Sequence, residues 1–179
     1  GLIPSVEMDS LKQKFDNLAD EIEKYIDVDR IIALSETEEI ESNFDLEAFI
    51  NKHKVENKSI AIAYDKAFNF YYRENIELLE KLGLEIKYFS PMKDKEVPNA
   101  DYIYIGGGFP EIFPQELHDN KSMRESILNA HRKNIPIYAE CGGLMYLGEK
   151  LENQNKELFD MVGIFKGTSV MTSSLKRFG

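Results

Sequence analysis

The sequence has a single cysteine, Cys141, which excludes an internal disulfide framework and any metal site assembled from several cysteines. No metal site is expected within this chain. No apolar run approaches the ~20 residues needed to cross a bilayer, so no membrane partner is expected. Positive charge is scarce: 22 Lys and Arg stand against 32 Asp and Glu, a net charge of −10. Phosphate-backbone binding needs clustered cations, so no nucleic-acid partner is expected. The opening Gly1-Leu2-Ile3-Pro4 is neither a signal nor a transit peptide and reads as the interior of a longer protein. The expected setting is the cytoplasm. No repeat or low-complexity segment appears. What is present is apolar material: hydrophobic residues make up 42% of the chain, enough for a packed core and against wholesale disorder.

Two unequal parts are legible, residues 1–55 and 56–179. In the first, Ile3-Pro4-Ser5-Val6 reads as the end of a strand. Asp9 or Ser10 is placed to cap a helix carrying Leu11, Phe15, Leu18, Ile22 and Ile26 on one face, with a 3.6-residue period. A shorter helix follows around Ile31, Ile32 and Leu34, and residues 36–47 turn acidic and lose periodicity, as a connector does. The apolar stripe of the first helix needs a partner. Without one it predicts disorder, folding onto the second part, or association such as a homodimer.

The second part alternates strand and helix. Strands are predicted over 59–64, 84–89, 102–105 and 135–139, with helices over 71–82, 122–133 and 142–150. Gly83 supplies a helix stop. Crossovers of ten or more residues between apolar strands point to a parallel sheet covered on both faces. The expected fold class is α/β, a doubly wound, flavodoxin-like sheet with its site at the carboxyl ends of the strands. After Leu158 the pattern changes. Val162-Gly163-Ile164-Phe165 and Ser169-Val170-Met171 read as strands of a further antiparallel layer.

Two motifs fall at that sheet edge. In Ile135-Pro136-Ile137-Tyr138-Ala139-Glu140-Cys141-Gly142-Gly143-Leu144-Met145, a strand runs into one residue and two glycines open a helix, the layout of a nucleophile elbow. A strained turn leaves no room for side chains beside it, and a helix N-terminus favours a thiolate. The plain alternative is a buried, inert cysteine. In Ile105-Gly106-Gly107-Gly108-Phe109-Pro110-Glu111, three glycines at a strand end let backbone amides approach a phosphate or an oxyanion, or merely form a tight loop. No Gly-Lys-Ser/Thr follows, so it is not a P-loop. Together the motifs suit thioester chemistry. Cys141 attacks a carboxamide, and amides at Gly107 or Gly108 and at Gly142 hold the developing negative oxygen.

Asp65-Lys66-Ala67-Phe68-Asn69-Phe70-Tyr71-Tyr72, Gly106-Gly107-Gly108-Phe109-Pro110-Glu111 and Ala139-Glu140-Cys141-Gly142-Gly143-Leu144-Met145-Tyr146-Leu147 stand in this order along the chain. In these motifs residues 59–179 resemble the cobyrinic acid a,c-diamide synthase family and its relative, the nickel-sirohydrochlorin a,c-diamide synthase. Residues 1–50 resemble, more weakly, the end of that family's synthetase domain. The resemblance implies a class I glutamine amidotransferase domain, with Cys141 as nucleophile and Gly107, Gly108 and Gly142 as oxyanion hole. It further implies glutamine and a tetrapyrrole carboxylate as substrates, with ATP and Mg²⁺ held by a synthetase domain preceding Gly1. Met145 stands where many class I glutaminases have glutamine, a departure shared with the cobalamin-type branch. For Asp65 to Tyr72 the plain reading is a loop entering a helix, with aromatic residues in the core. The sharper one is a lining near the tetrapyrrole.

A cysteine glutaminase needs a base. His53 lies in the connector, His131 belongs at the opposite sheet edge, and His118 follows the glycine loop. In the family the catalytic histidine lies further on, beyond residue 179, so this chain alone is expected to be inactive. The competing reading is a flavodoxin-like binding or regulatory module in which Cys141 is only structural.

Overall fold

The computed structural model describes residues 11–37, 43–172 and 174. The expected strand at 3–6 and the cap at Asp9 or Ser10 lie outside them. The chain divides into two compact units, Gly1–Asp45 and Leu46–Gly179. In the first, α1 (Leu11–Tyr25) and α2 (Val28–Ser35) fall where the 3.6-residue period predicts. Asp27 caps α2 by accepting the Arg30 N–H at 2.9 Å. The stripe residues Phe15, Leu18, Ile22 and Ile26 are exposed, as are Ile31, Ile32 and Leu34.

The second unit opens on α3 (Leu46–His53), where the sequence reads as connector. Its two turns are too short for periodicity to separate them from an acidic linker. A four-stranded parallel sheet then forms from β1 (Lys58–Ala63), β2 (Leu84–Phe89), β3 (Tyr102–Ile105) and β4 (Ile137–Ala139), in the order β2-β1-β3-β4. This is the flavodoxin-like order expected. β1 is central and buried from Ser59 to Ala63, which explains its uninterrupted apolar run.

Alternation sorts the strands between two cores. Ala61, Ala63, Ile103 and Ile105 pack with Met123, Ile127 and Ala130 of α6 (Lys121–Arg132) and with Tyr146. Ile60, Ile62 and Tyr104 face the other way, against Ile76 and Leu79 of α4 (Arg73–Lys81). A short helix, α5 (Pro114–Asp119), precedes α6. It went unread because six residues display no period, although Pro114 is a standard first-turn residue.

Three expectations are corrected beyond the elbow. The helix predicted over 142–150 is α7 (Gly142–Leu147), stopped by Gly148. Lys150 instead begins β5 (Lys150–Glu152). The segment 162–165 is not a strand; β6 (Leu158–Asp160) lies just before it. The second layer is mixed: β5 pairs antiparallel with β6 but parallel with β7 (Thr168–Val170). Glycine punctuation at Gly148 and Gly163, weighed as at Gly83, would have placed the first two boundaries.

Candidate active site

The elbow forms where β4 ends. Cys141 has φ 49° and ψ −117°, a conformation that costs a non-glycine residue roughly 1–3 kcal/mol and persists only where the surroundings fix it. The fixing bonds are main-chain. The Glu140 N–H donates to Ile105 O at 3.2 Å, and the Gly143 N–H to Gly106 O at 3.0 Å and to Glu140 O at 2.8 Å. The Cys141 carbonyl accepts from Leu144 and Met145, which starts α7. Space then demands the two glycines. A Cβ on Gly143 would stand 2.1 Å from Ile105 O, and one on Gly142 would stand 2.7 Å from Pro110 Cδ and 2.9 Å from Gly108 O. Cys141 itself is exposed, not a core cysteine, and its thiol makes no hydrogen bond among the described residues.

The glycine loop faces this turn. A Cβ on Gly107 would lie 3.5 Å from Cβ of Cys141. The Gly107 carbonyl accepts from Asn69 N and Phe70 N, each at 3.1 Å, in an antiparallel bridge with Phe70. Gly108 packs so closely that a Cβ would meet Ala67 O at 2.1 Å. Neither the Gly108 nor the Gly142 N–H finds a partner among the described residues. All four predicted residues, Cys141, Gly107, Gly108 and Gly142, are therefore brought together. An exposed thiol with two uncommitted amide donors beside it is equipped to form and hold an oxyanion.

Residues 65–72 hold the loop. Asp65 Oδ1 accepts from Ala67 N at 2.8 Å and Phe68 N at 3.2 Å, and its Oδ2 accepts from Ser90 Oγ at 2.8 Å and Met92 N at 3.0 Å. Phe68 is fully buried against Tyr146, and Phe70 stacks edge-on to Phe109. The Tyr71 hydroxyl donates to Ala63 O and accepts the Gly106 N–H at 2.8 Å, tying the ends of β1 and β3 together beneath the loop. Burial holds the Tyr71 phenol well above its usual pKa, a rise partly offset by the Gly106 N–H. Sequence reading missed Tyr71 and Glu140. The Asp65 turn carries the one readable signal, an Asx residue followed by two amides it can accept.

None of the three histidines bonds to the Cys141 thiol. His118 Nδ1 accepts the Asp160 N–H at 2.9 Å, which commits it to joining α5 to β6. His131 sits in the last turn of α6, exposed, and the His53 ring lies 4.6 Å from that of Phe49. Met145 is half-buried and packs against the core. Burial pushes the Glu111 carboxyl above its ordinary range, and one of its oxygens has no partner among the described residues.

With this geometry in view, residues 59–178 match the family described as the CobB/CobQ-like glutamine amidotransferase domain. The chain belongs to that family. It is 50% identical to a cobyrinate a,c-diamide synthase of Listeria innocua and 51% identical to one of Clostridium tetani, each match covering 100% of this chain and 39% of the relative. A third cobyrinate a,c-diamide synthase, from Streptococcus sanguinis, is 46% identical. The chain thus spans about two fifths of the length of these relatives. In fold it resembles a Listeria monocytogenes protein described as a peptidase E, with TM-score 0.50 and 16% identity over 67% of this chain and 69% of that one. This amidotransferase domain carries the three motifs that suggested the family. Among the described residues, no helix is long and apolar enough to cross a membrane.

Proposed function

We propose that this amidotransferase domain is the glutaminase part of an ATP-dependent tetrapyrrole a,c-diamide synthase, with Cys141 as nucleophile. The observation carrying this reading is an exposed thiol on a strained elbow, with the uncommitted Gly108 and Gly142 amides beside it. The thiolate attacks the side-chain carboxamide carbon of glutamine, and the amides stabilise the oxyanion. The Gly107 carbonyl, held by Asn69 and Phe70, fixes the orientation of the loop. The C–N bond breaks, ammonia leaves with a proton, and water cleaves the thioester to glutamate and free thiol. A histidine outside residues 1–179 serves as acid and base, since His118 is committed to Asp160.

Amidation of the a and c acetate groups of cobyrinate, or of nickel-sirohydrochlorin, would use the released ammonia. Carboxylate activation needs ATP and Mg²⁺. The described residues do not fit such a site: no cluster of three or more His, Cys, Asp or Glu side chains gathers among them, and the sequence has no P-loop. Both are assigned to a synthetase domain whose body lies outside this chain, with the first compact unit, Gly1–Asp45, as its end.

The test compares ammonia release by this chain with that of a chain extended by roughly 100 residues, an ordinary domain length. Loss of acid–base catalysis typically costs ~10²–10⁴-fold, so this chain should fall at least 10²-fold below the extended one. Equal rates would place the base within residues 1–179, and His118→Ala would be the first variant to make.

A further inference from the structure

The residue before the nucleophile is held as firmly as the nucleophile itself. Its N–H donates to Ile105 O and its carbonyl accepts from Gly143 N. Its side chain is also engaged. Glu140 Oε1 accepts from the Tyr104 hydroxyl, and Oε2 from the Tyr138 hydroxyl at 3.4 Å. Tyr104 is a rigid post, only 7% exposed, its ring 5.1 Å from Tyr71 and 5.2 Å from Tyr138 at steep interplanar angles. Burial first, and then the bond to Glu140, raises the pKa of Tyr104 and keeps the phenol a donor. Tyr71, at the other side of Tyr104, carries the Gly106 N–H. One row of rings therefore joins the base of the glycine loop to the elbow.

We propose that Glu140 is a positioning residue for Cys141: its side chain, anchored on Tyr104 of the neighbouring strand, fixes the strand end from which the elbow turns. This rests on the reading of Cys141 as nucleophile. The need follows from the strand. β4 has three residues and is paired on one side only among the described residues, so few ladder bonds restrain its end. Yet the next residue must stay at φ 49°, which requires redundant restraint. The Tyr104 bond is the side-chain restraint acting across strands at that point. With it gone, the Glu140 peptide is held by its main-chain bonds alone, the Gly143 N–H bond to Glu140 O opens more often, and the elbow loosens.

The experiment uses the whole chain, whose only cysteine makes alkylation specific. Glu140→Ala, Glu140→Gln and Tyr104→Phe are compared with the parent for iodoacetamide rate at fixed pH, for hydrogen exchange at Gly143, and for folding by circular dichroism. Glu140→Ala and Tyr104→Phe should each slow alkylation roughly tenfold, which converts to about 1.4 kcal/mol, near the worth of one hydrogen bond to a charged group. Both should speed exchange at Gly143. Glu140→Gln, whose amide oxygen still accepts from Tyr104, should stay within about twofold of the parent in rate. If Gln and Ala behave alike while Tyr104→Phe changes nothing, the carboxylate acts only through its charge and the proposal falls. Unchanged rates in all three overturn it equally. Should Glu140→Ala fail to fold, the Gln and Phe variants decide between the same outcomes. A parent thiol no faster than free cysteine would instead refute the nucleophile reading itself.

Discussion

Removing one hydroxyl should loosen the site from below. In Tyr71→Phe the ring remains, wedged where a Cβ on Gly106 would meet its Cε1 at 2.5 Å, so packing is preserved. The donor to Ala63 O and the acceptor for Gly106 N–H both vanish. Two intramolecular hydrogen bonds are worth ~0.5–1.5 kcal/mol each, and a buried N–H left without a partner costs ~1–3 kcal/mol. Gly106 and Ala63 are both buried, so water is a poor substitute, and about 2–4 kcal/mol of stability should be lost. A unit of this size shifts by roughly 3–4 °C per kcal/mol, so Tm should drop by about 6–16 °C, again by the same relation. Thermal unfolding followed by circular dichroism measures this, and exchange at the Gly106 amide locates it. A Tm change below about 2 °C, with Gly106 still protected, would refute the view that this hydroxyl holds the loop.

Gly143→Ala should destabilise the second unit by about 3 kcal/mol, the upper end for overpacking, because its Cβ meets the Ile105 carbonyl rather than a movable side chain; urea unfolding measures it. Cys141→Gly should stabilise the chain by about 1 kcal/mol, since relief of ~1–3 kcal/mol of backbone strain exceeds the ~0.5–1 kcal/mol entropic cost of glycine. A loss of stability on the same urea curve would show that the elbow is not strained. Glu111→Gln should raise Tm near neutral pH. Burial raises the folded pKa of Glu111 above the unfolded value of 4.5, so its contribution is favourable below that value and is lost as pH rises through the folded pKa. The gain over the parent should therefore shrink toward pH 4, and a gain independent of pH would assign it to packing.

The parallel sheet was readable because its strands announce themselves locally. Leu84 to Phe89 places Leu84, Ile86 and Tyr88 in alternation and Tyr102 to Ile105 is an apolar run, and both are strands over those bounds. The elbow was readable for a similar reason: Cys-Gly-Gly after a strand states a steric requirement, and the Ile105 and Gly108 backbones are what impose it. Elements of a turn or two, such as α3 and α5, carry too little periodicity to read. The small sheet failed because register between three-residue strands is set by tertiary partners. Tyr71 and Glu140 were invisible for the same reason. Nothing near Tyr71 in sequence reveals that Gly106 is its partner, and the Tyr104 anchor for Glu140 lies on another strand.

The order of assembly follows from the strand pairings. Lys58 pairs with Leu84, Ile60 with Tyr102, and Ile103 with Ile137, so every partnership in the main sheet closes a loop containing at least one helix or long turn. Such closures lose chain entropy before contacts repay it, and they form slowly. The elbow lies past the last of them, and its restraints at Ile105, Gly106 and Pro110 belong to the end of β3 and the turn after it. Its local bond, Gly143 N–H to Glu140 O, supplies only part of the restraint. Cys141 should therefore acquire its native alkylation rate only after β3 and β4 are in register, lagging the helical signal during refolding. The thiol should then report the pairing of β3 with β4, and a chain still being assembled should carry an ordinary cysteine until that pairing is made.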